Sequence, residues 1–449
     1  MDTYVLLAAA VGGIALLLFC ILYLKVHPFI ALFLASIFVG IFSGMPQEQI
    51  VSELQKGMAG TLGFVAGVVG LGAMFGALLE HSGGAYALAD FLVAKGGEKG
   101  APWAMAFTGF LVGIPVFFEV AFIILFPMAV ALHKKSGKSL LLYGLPLLAG
   151  LAVSHAFIPP SPGSIAVAEI IGANLGWVIL TGIAAGIPGA ILAGPVFANF
   201  ISKKIEGSAT FESGIRDART SPSVALVLTM ICIPIALIVV CSLLNSPMTS
   251  SLAFSPTTQK WINFVGHPFV ALLLSNLLAW YFLGIKQGYT KEQLLKITSG
   301  SLAPAGSIIL IIGAGGMFKQ ILATSGVGTL LAESIRSSGA SYILFGFGVA
   351  ALIRIIQGSA TVAMITAAGM TASLVGTTPI GELEKALIVT AISSGATILS
   401  HVNDGGFWLV GRYFGINEKQ TLSSWTVTTT IIAMVGLMMV LLMEFMFVR

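Results

Sequence analysis

Windows of about 20 consecutive apolar residues, the length that a helix needs to cross a bilayer, recur along this chain. Only 9% of its residues are charged and its mean hydropathy is +1.00, whereas a soluble domain carries about a quarter charged residues. The sequence therefore predicts an all-α polytopic membrane protein. The windows cover 3–24, 27–44, 60–79, 175–202, 222–245, 261–284, 302–322 and 421–447.

The two halves of the chain share short sequence repeats. Residues 27–35 (HPFIALFLA) and 267–275 (HPFVALLLS) are identical at six of nine positions. Residues 70–92 resemble 313–335 in the same order along the chain. Internal repeats in membranes are typical of transporters, whose substrate binds where the repeats meet.

Two longer apolar stretches also recur. Residues 101–132 and 139–172 correspond to 340–375 and 382–415, and each is interrupted midway by Pro, Gly or polar residues. Lys95, Lys99 and Lys134 flank the first stretch, and short cytoplasmic loops are enriched in basic residues. We therefore expect 101–132 to enter and leave on the cytoplasmic side as a re-entrant hairpin.

This count predicts the organisation of the whole chain. Each half has about five transmembrane helices plus one re-entrant hairpin, with broken helices at the midplane. Because five is odd, the second repeat must be inverted relative to the first, with both termini outside. We place the first inverted repeat at 1–205, a cytoplasmic linker at 206–221 and the second inverted repeat at 222–449.

Four polar or Pro/Gly-rich segments interrupt the apolar stretches and form two matched pairs: 115–120 with 354–363, and 154–163 with 400–407. Irregular backbone at membrane depth is tolerated only where protein buries it or water reaches it. Helix ends there expose N–H groups that suit an anionic ligand. The candidate substrate-binding residues are Phe118, Ser154, His155, Pro160, Ser161, Gly163, Ser164, Arg354, Gln357, Gly358, Ser359, Thr361, His401 and Asn403.

Ionisable residues inside apolar stretches are costly and are therefore functional candidates. Glu119 and Asp404 are the candidates for proton coupling, with a structural partner to a helix end or to Arg354 as the alternative. The apolar sequence around Glu119 predicts that it is the drier of the two. Arg354 could bind a carboxylate through two donors or form an ion pair with either acid. His155 and His401 are either functional or hydrogen-bonded structural groups.

Several function classes lack a signal. The sequence contains no P-loop, catalytic triad or metal-ligand pattern, so we expect no catalytic residues, no metal and no cofactor. A net charge of +4, scattered along the chain, does not suggest nucleic acid. A membrane-embedded enzyme and a passive facilitator or channel remain as alternatives to a carrier.

Trp177, Trp261, Trp280 and Trp425 lie at span ends, as interfacial anchors do.

A set of motifs resembles the gluconate permease family of proton symporters. In chain order these are HPFIALFLA, AGTLGF, GLGAMFG, FFEVAF, HAFIPPSPG, QGSATVA and SHVNDGGFW. The resemblance implies uptake of gluconate or a related sugar acid with a proton, across a bacterial inner membrane. It also implies membership of the ion transporter superfamily, whose members are inverted-repeat proteins and often homodimers.

One position departs from the family pattern. Many relatives have a histidine within PPHPGP, where this chain has Ser161. Other aldonates, glycerate and a D-amino acid such as D-serine therefore remain alternative substrates. The expected partners are a small organic anion, a proton and membrane lipid.

Overall fold

The computed structural model describes residues 3–207, 222–245, 254–326, 341–375, 380–402 and 404–448. Every regular element in these ranges is a helix. Six helical segments are long and apolar enough to cross a membrane by length and composition. The expected all-α polytopic fold is thus confirmed. Most of the expected linker, 208–221, lies outside the described residues.

The helices of the first half are α1 Thr3–Leu22, α2 Pro28–Phe42, α3 Gln47–His81, α4 Gly84–Val112, α5 Phe118–Ser136, α6 Leu141–Phe157, α7 Pro162–Ile171 and α8 Leu175–Ile201. Those of the second half are α9 Val224–Leu244, α10 Pro256–Gly266, α11 Pro268–Gln287, α12 Lys291–Thr324, α13 Tyr342–Gln357, α14 Ala360–Val375, α15 Glu382–Thr397, α16 Gly405–Phe414 and α17 Glu418–Phe447.

The repeated HPF motif begins a helix in the same way in each half. His27 caps α2 and His267 caps α11, and each Nδ1 accepts a hydrogen bond, 3.3 Å long, from the backbone N–H of the motif phenylalanine. Proline occupies the first helical position, where no N–H is needed. The expected single span over 261–284 is therefore wrong, because the motif separates α10 from α11.

Helices α3 and α12, which carry the second sequence repeat, pack against each other in opposite directions. Gly57 near the start of α3 lies against the carbonyl of Gly316 near the end of α12, where a Cβ would come within 2.6 Å of the oxygen. Gly70, further along α3, lies near Leu302, early in α12. Both helices extend beyond the expected windows 60–79 and 302–322. Their first turns are polar, so these turns lie outside the apolar windows.

The two halves also interlock through their hairpins. Phe122 and Phe126 of α5 contact Tyr413 and Phe414 of α16, with ring centroids 5.1 to 6.2 Å apart. In the matched position, Gly163 of α7 lies against the sulfur of Met364 in α14. The second arm of each hairpin therefore packs on the short helix of the opposite half.

These features agree with a two-fold relation between the halves. Corresponding helices α3 and α12 run antiparallel, and the α5–α16 contact has its counterpart in α7–α14. Such an arrangement is what inverted repeats require. The inverted-repeat relation and the orientation of each repeat in the membrane stay predictions.

Candidate functional site

The first hairpin tip lies between Val112, where α4 ends, and Phe118, where α5 begins. Its backbone fits closely under neighbouring helices: the Pro115 carbonyl lies against Gly76 of α3, and Gly113 lies against the Ser154 hydroxyl of α6. A side chain at either glycine would push the tip away. The tip is therefore held between α3 and α6, as expected from the interruption at 115–120.

The first break separates α6, which ends at Phe157, from α7, which begins at Pro162. The Pro159–Pro160 peptide bond is cis. The Ser161 and Ser164 hydroxyls lie 2.8 Å apart, and the Ser164 hydroxyl also donates to the Ser161 carbonyl. These contacts close the first turn of α7 on itself.

The second hairpin tip is a two-residue turn between α13 and α14. Gly358 has φ +89°, a left-handed conformation that favours glycine, and its N–H donates to the Arg354 carbonyl at 2.9 Å. The Gln357 side-chain oxygen accepts from the Ser359 N–H at 3.1 Å. The positive end of α14 thereby faces the space beside Arg354.

The second break runs from Ile398 to Asp404, between α15 and α16. Leu399 adopts φ +46°, an uncommon conformation for a leucine that the surrounding structure must hold in place. Asp404 caps α16 by accepting the Gly406 N–H at its Oδ1, 3.2 Å away. The break therefore places a carboxylate at a helix N-terminus.

Arg354 and Asp404 form an ion pair between the second tip and the second break. The guanidinium Nη2 donates to Asp404 Oδ2 at 2.6 Å, and the two side chains are 6% and 16% exposed. The Ser400 hydroxyl donates to the same Oδ2, and the Trp425 Nε1–H donates to the Ser400 hydroxyl at 2.8 Å. The Arg354 Nε is buried and has no partner among the described residues.

A cavity of about 420 Å³ opens beside this ion pair, and both halves of the chain line it. We call it the Arg354 cavity. Its walls contain Phe118, Glu119, Ala152, His155, Ala156, Arg354, Gln357, Gly358, Ser359, Ala360, Thr361, Thr397, Asp404, Gly405, Gly406, Trp425 and Thr429. The structure thus brings nine of the sequence-based candidates together, from residues distant in sequence: Phe118, Glu119, His155, Arg354, Gln357, Gly358, Ser359, Thr361 and Asp404.

The remaining candidates lie elsewhere. Pro160 and Ser161 line a small void next to the first tip, and Ser154 is fully buried with its hydroxyl donated to the Gly150 carbonyl. Gly163 and Ser164 pack inside α7. The His401 Nε2 lies 2.7 Å from the Ile355 carbonyl, behind the second tip. Asn403 lies outside the described residues.

Two expectations about individual side chains are wrong. Glu119 is exposed and Asp404 is the more buried acid, because the first turn of α5 directs Glu119 into the cavity while its apolar neighbours pack the other way. Trp425 is only 3% exposed and is not an interfacial anchor. Its indole lies against Phe118, with ring centroids 5.8 Å apart.

The polar and aromatic site residues that the sequence did not indicate are Thr397, Trp425 and Thr429. Trp425 lies in a π-helical turn, Leu422–Thr426, and such turns are frequent at functional sites. No composition or spacing signal distinguishes a π turn from ordinary helix. Only the three-dimensional packing places these residues beside Asp404.

A second cavity, of about 490 Å³, lies on the other side of the first hairpin tip. We call it the Lys296 cavity, since Lys296 of α12 lines it together with Glu80, His81 and Tyr289. Pro115, Val116 and Phe117 form part of its wall and also line the small void of about 10 Å³, room for about one water. His155 lines both that void and the Arg354 cavity. A narrow point at the first tip thus separates two larger spaces.

Helices that break at membrane depth around a charged cavity, with walls from both halves, define the class of membrane transporters. Comparison with known proteins agrees and is more specific. The chain matches the GntP family permease over residues 4–446. This chain belongs to the GntP permease family, and it is a multi-pass protein of the bacterial inner membrane.

Similar proteins cover almost the whole chain. It is 40% identical over 448 residues to a gluconate permease of Pseudomonas aeruginosa, with 99% of this chain and 98% of that protein covered. It is 39% identical to a low-affinity gluconate transporter of Escherichia coli K12, covering 97% of each. It is 38% identical to the Gnt-II system L-idonate transporter of the same organism, covering 96% of this chain and 97% of that protein.

A solved structure shares the fold. The Alcanivorax borkumensis YdaH transporter, described as having an unusual topology, superposes with a TM-score of 0.61 at 15% identity. The superposition covers 88% of this chain and 89% of that one. At this identity the likeness supports the transporter fold alone.

Proposed function

We propose that this protein is a secondary active transporter that imports gluconate or a related sugar acid together with a proton. The observation that carries the proposal is the Arg354–Asp404 ion pair at the wall of a cavity that both halves line. The names of the relatives, gluconate and L-idonate transporters, give the substrate class.

Arg354 is the group that we assign to the substrate carboxylate. Its guanidinium presents donors in a planar fork that matches a carboxylate, and its buried Nε has no partner among the described residues. The positive end of α14 adds to the attraction for an anion. Hydroxyl groups of Ser359, Thr361 and Thr397 line the same cavity and suit a polyhydroxylated chain. The volume of about 420 Å³ falls within the usual range of small-ligand sites.

Asp404 supplies the coupling to the proton. Its carboxylate is paired with the Arg354 guanidinium, the group that we assign to the substrate carboxylate. The substrate anion and ionised Asp404 therefore compete for Arg354. A proton on Asp404 removes that competition and leaves Arg354 free for the substrate. The anion and the proton therefore favour each other's binding, and the loaded site carries no more charge than the empty one.

Other ionisable groups face the same space. Glu119 of α5 and His155 of α6 line the cavity with Asp404. His401 lies in the second break, like Asp404, and its Nε2 is 2.7 Å from the Ile355 carbonyl. Among these groups, only Asp404 is bonded to Arg354. We therefore assign the coupled proton to Asp404, with Glu119 and His155 as the next candidates.

The two cavities suggest the route. The Arg354 cavity and the Lys296 cavity approach each other at the first hairpin tip, where only a void of about 10 Å³ remains between Phe117 and Pro160. Movement of the hairpin relative to α3 would open one side while it closes the other. Lys296 lies in a basic cluster with Lys286 and Lys291, and basic clusters are typical of cytoplasmic loops, so we infer that this route leads inward.

Competition for uptake tests the substrate assignment. In proteoliposomes that hold the purified protein, unlabelled gluconate and idonate should displace labelled gluconate, whereas D-serine, with an ammonium group to place beside Arg354, should not. Absence of saturable gluconate uptake, together with saturable uptake of labelled D-serine, would contradict the sugar-acid assignment. A protein that transports no tested solute, yet alters one chemically, would favour the enzyme alternative.

A further inference from the structure

Trp425 is connected to the ion pair through one hydroxyl. Its Nε1–H donates to the Ser400 hydroxyl at 2.8 Å, and that hydroxyl donates to Asp404 Oδ2. An indole N–H is a donor only, so the Ser400 oxygen must be the acceptor of this bond. The serine proton is then directed at the carboxylate and not at the tryptophan.

Helix α17 holds Ser400 at its two backbone groups as well. The Thr429 hydroxyl oxygen accepts the Ser400 N–H at 3.1 Å, and the Thr426 hydroxyl donates to the Ser400 carbonyl. The π turn Leu422–Thr426 brings Trp425 and Thr426 inward together, and both are buried. Ser400 therefore has a fixed position, and its hydroxyl has a fixed direction.

We propose that Trp425 is a positioning residue for the proton-linked step: by orienting the Ser400 hydroxyl toward Asp404, it sets the pH range over which the anion binds. This inference rests on the proposed function. A hydrogen bond donated to a carboxylate favours its ionised form. Without the indole N–H, the Ser400 hydroxyl can rotate away, and the ionised form of Asp404 then loses this hydrogen bond.

The charged and titratable groups that face Asp404 do not supply this orientation. Arg354 contacts Asp404 directly, Glu119 and His155 line the same cavity, and the His401 Nε2 lies 2.7 Å from the Ile355 carbonyl. From α17, the side chains on this side are the uncharged Trp425 and Thr429. The effect of Trp425 thus passes through Ser400.

The test compares Trp425→Phe with Trp408→Phe. Phenylalanine keeps an aromatic ring on Phe118 but lacks the N–H, whereas Trp408 donates to the Val402 carbonyl at 2.8 Å on the exposed side of α16. Gluconate affinity is measured by titration calorimetry in detergent between pH 5 and 9, in buffers of different ionisation enthalpy, so that proton uptake per gluconate is obtained directly.

We expect the midpoint of the pH dependence of gluconate affinity to move upward by about one pH unit in Trp425→Phe. The free energy of a hydrogen bond to a charged group corresponds to a shift of about this size. Trp408→Phe should keep the wild-type midpoint. Ser400→Ala, which removes the donor itself, should shift the midpoint at least as far as Trp425→Phe.

A second substitution covers the case in which Trp425→Phe does not fold. β-(3-Benzothienyl)alanine at position 425 keeps the shape of the indole and replaces its N–H with sulfur. A wild-type midpoint in either Trp425 variant would overturn the inference. Absence of any proton uptake with gluconate in the unaltered protein would instead contradict the proposed coupling, so the two failures are distinguishable.

Discussion

Replacement of Asp404 with asparagine separates the two roles of this carboxylate, as partner of Arg354 and as carrier of the proton. Asparagine keeps the size of the side chain and its capacity to cap α16, where Asp404 accepts the Gly406 N–H at 3.2 Å. It cannot take up or release a proton. In the absence of substrate, the asparagine leaves the Arg354 guanidinium without a counter-charge. This is the state that we assign to the wild-type protein when Asp404 carries a proton.

The structure indicates the size of the effect on stability. Removing one partner of a buried ion pair costs about 3–5 kcal/mol. Because Asp404 is 16% exposed, we expect a loss near the lower end of that range. Gluconate should reverse most of it, since a ligand at 100 times its Kd stabilises the folded state by about 2.7 kcal/mol.

The effect on affinity follows from linkage. Above the midpoint of the pH dependence of gluconate binding, the Kd of the wild type for gluconate should rise about tenfold per pH unit, because one proton must be taken up with each anion. The Kd of Asp404→Asn should stay constant across the same range and match the low-pH value of the wild type.

Thermal unfolding in detergent and calorimetric titration from pH 5 to 9 measure both quantities. The double variant Arg354→Gln/Asp404→Asn is the control: it removes both charges, so it should unfold near the wild-type temperature and bind no gluconate. Wild-type pH dependence of gluconate affinity in Asp404→Asn would refute the competition between substrate and Asp404.

Three further tests address the site and the topology. Arg354→Lys should insert and fold but bind gluconate at least tenfold more weakly, since an ammonium cannot offer the paired donors; unchanged affinity by calorimetry would remove Arg354 from the site. Glu119→Gln should still accumulate gluconate in response to a pH gradient, because Glu119 is exposed and is not the acid that pairs with Arg354; loss of accumulation with intact exchange would move the proton to Glu119. In a cysteine-free background, Lys99→Cys and Lys135→Cys should be protected from an impermeant external thiol reagent. Lys260→Cys should react, because Lys260 is the single basic residue of 246–260 and external loops are poor in Lys and Arg. External labelling of Lys99→Cys or Lys135→Cys would contradict the inverted topology.

The positions of the tips and breaks could be predicted from the sequence, because Pro, Gly and charged residues are costly inside apolar membrane stretches and so mark interruptions of a helix or functional groups. The sequence predicts Arg354 and Asp404 as functional candidates in this way, and their partnership with each other is one of several alternatives that it leaves open. Their pairing depends on how α13 meets the second break, and no local pattern encodes that contact.

Other features depend on packing and could not be predicted from the sequence. A tryptophan at the end of a span is typical of an interfacial anchor, yet the π turn rotates Trp425 into the protein. The PVFFEVAF segment predicts a dry environment, yet only one face of the first turn of α5 is buried, and Glu119 lies on the other. Hydropathy averages along the chain and does not resolve faces of a helix over so few residues.

The central claim is that uptake of a sugar acid is coupled to a proton. The most direct test is uptake of labelled gluconate into proteoliposomes, with and without an inward proton gradient, at equal gluconate concentration on both sides at the start. Coupled transport predicts accumulation above the external concentration when the gradient is present, and its collapse when a protonophore is added. Equilibration to equal concentrations under both conditions would contradict the account and indicate a passive facilitator.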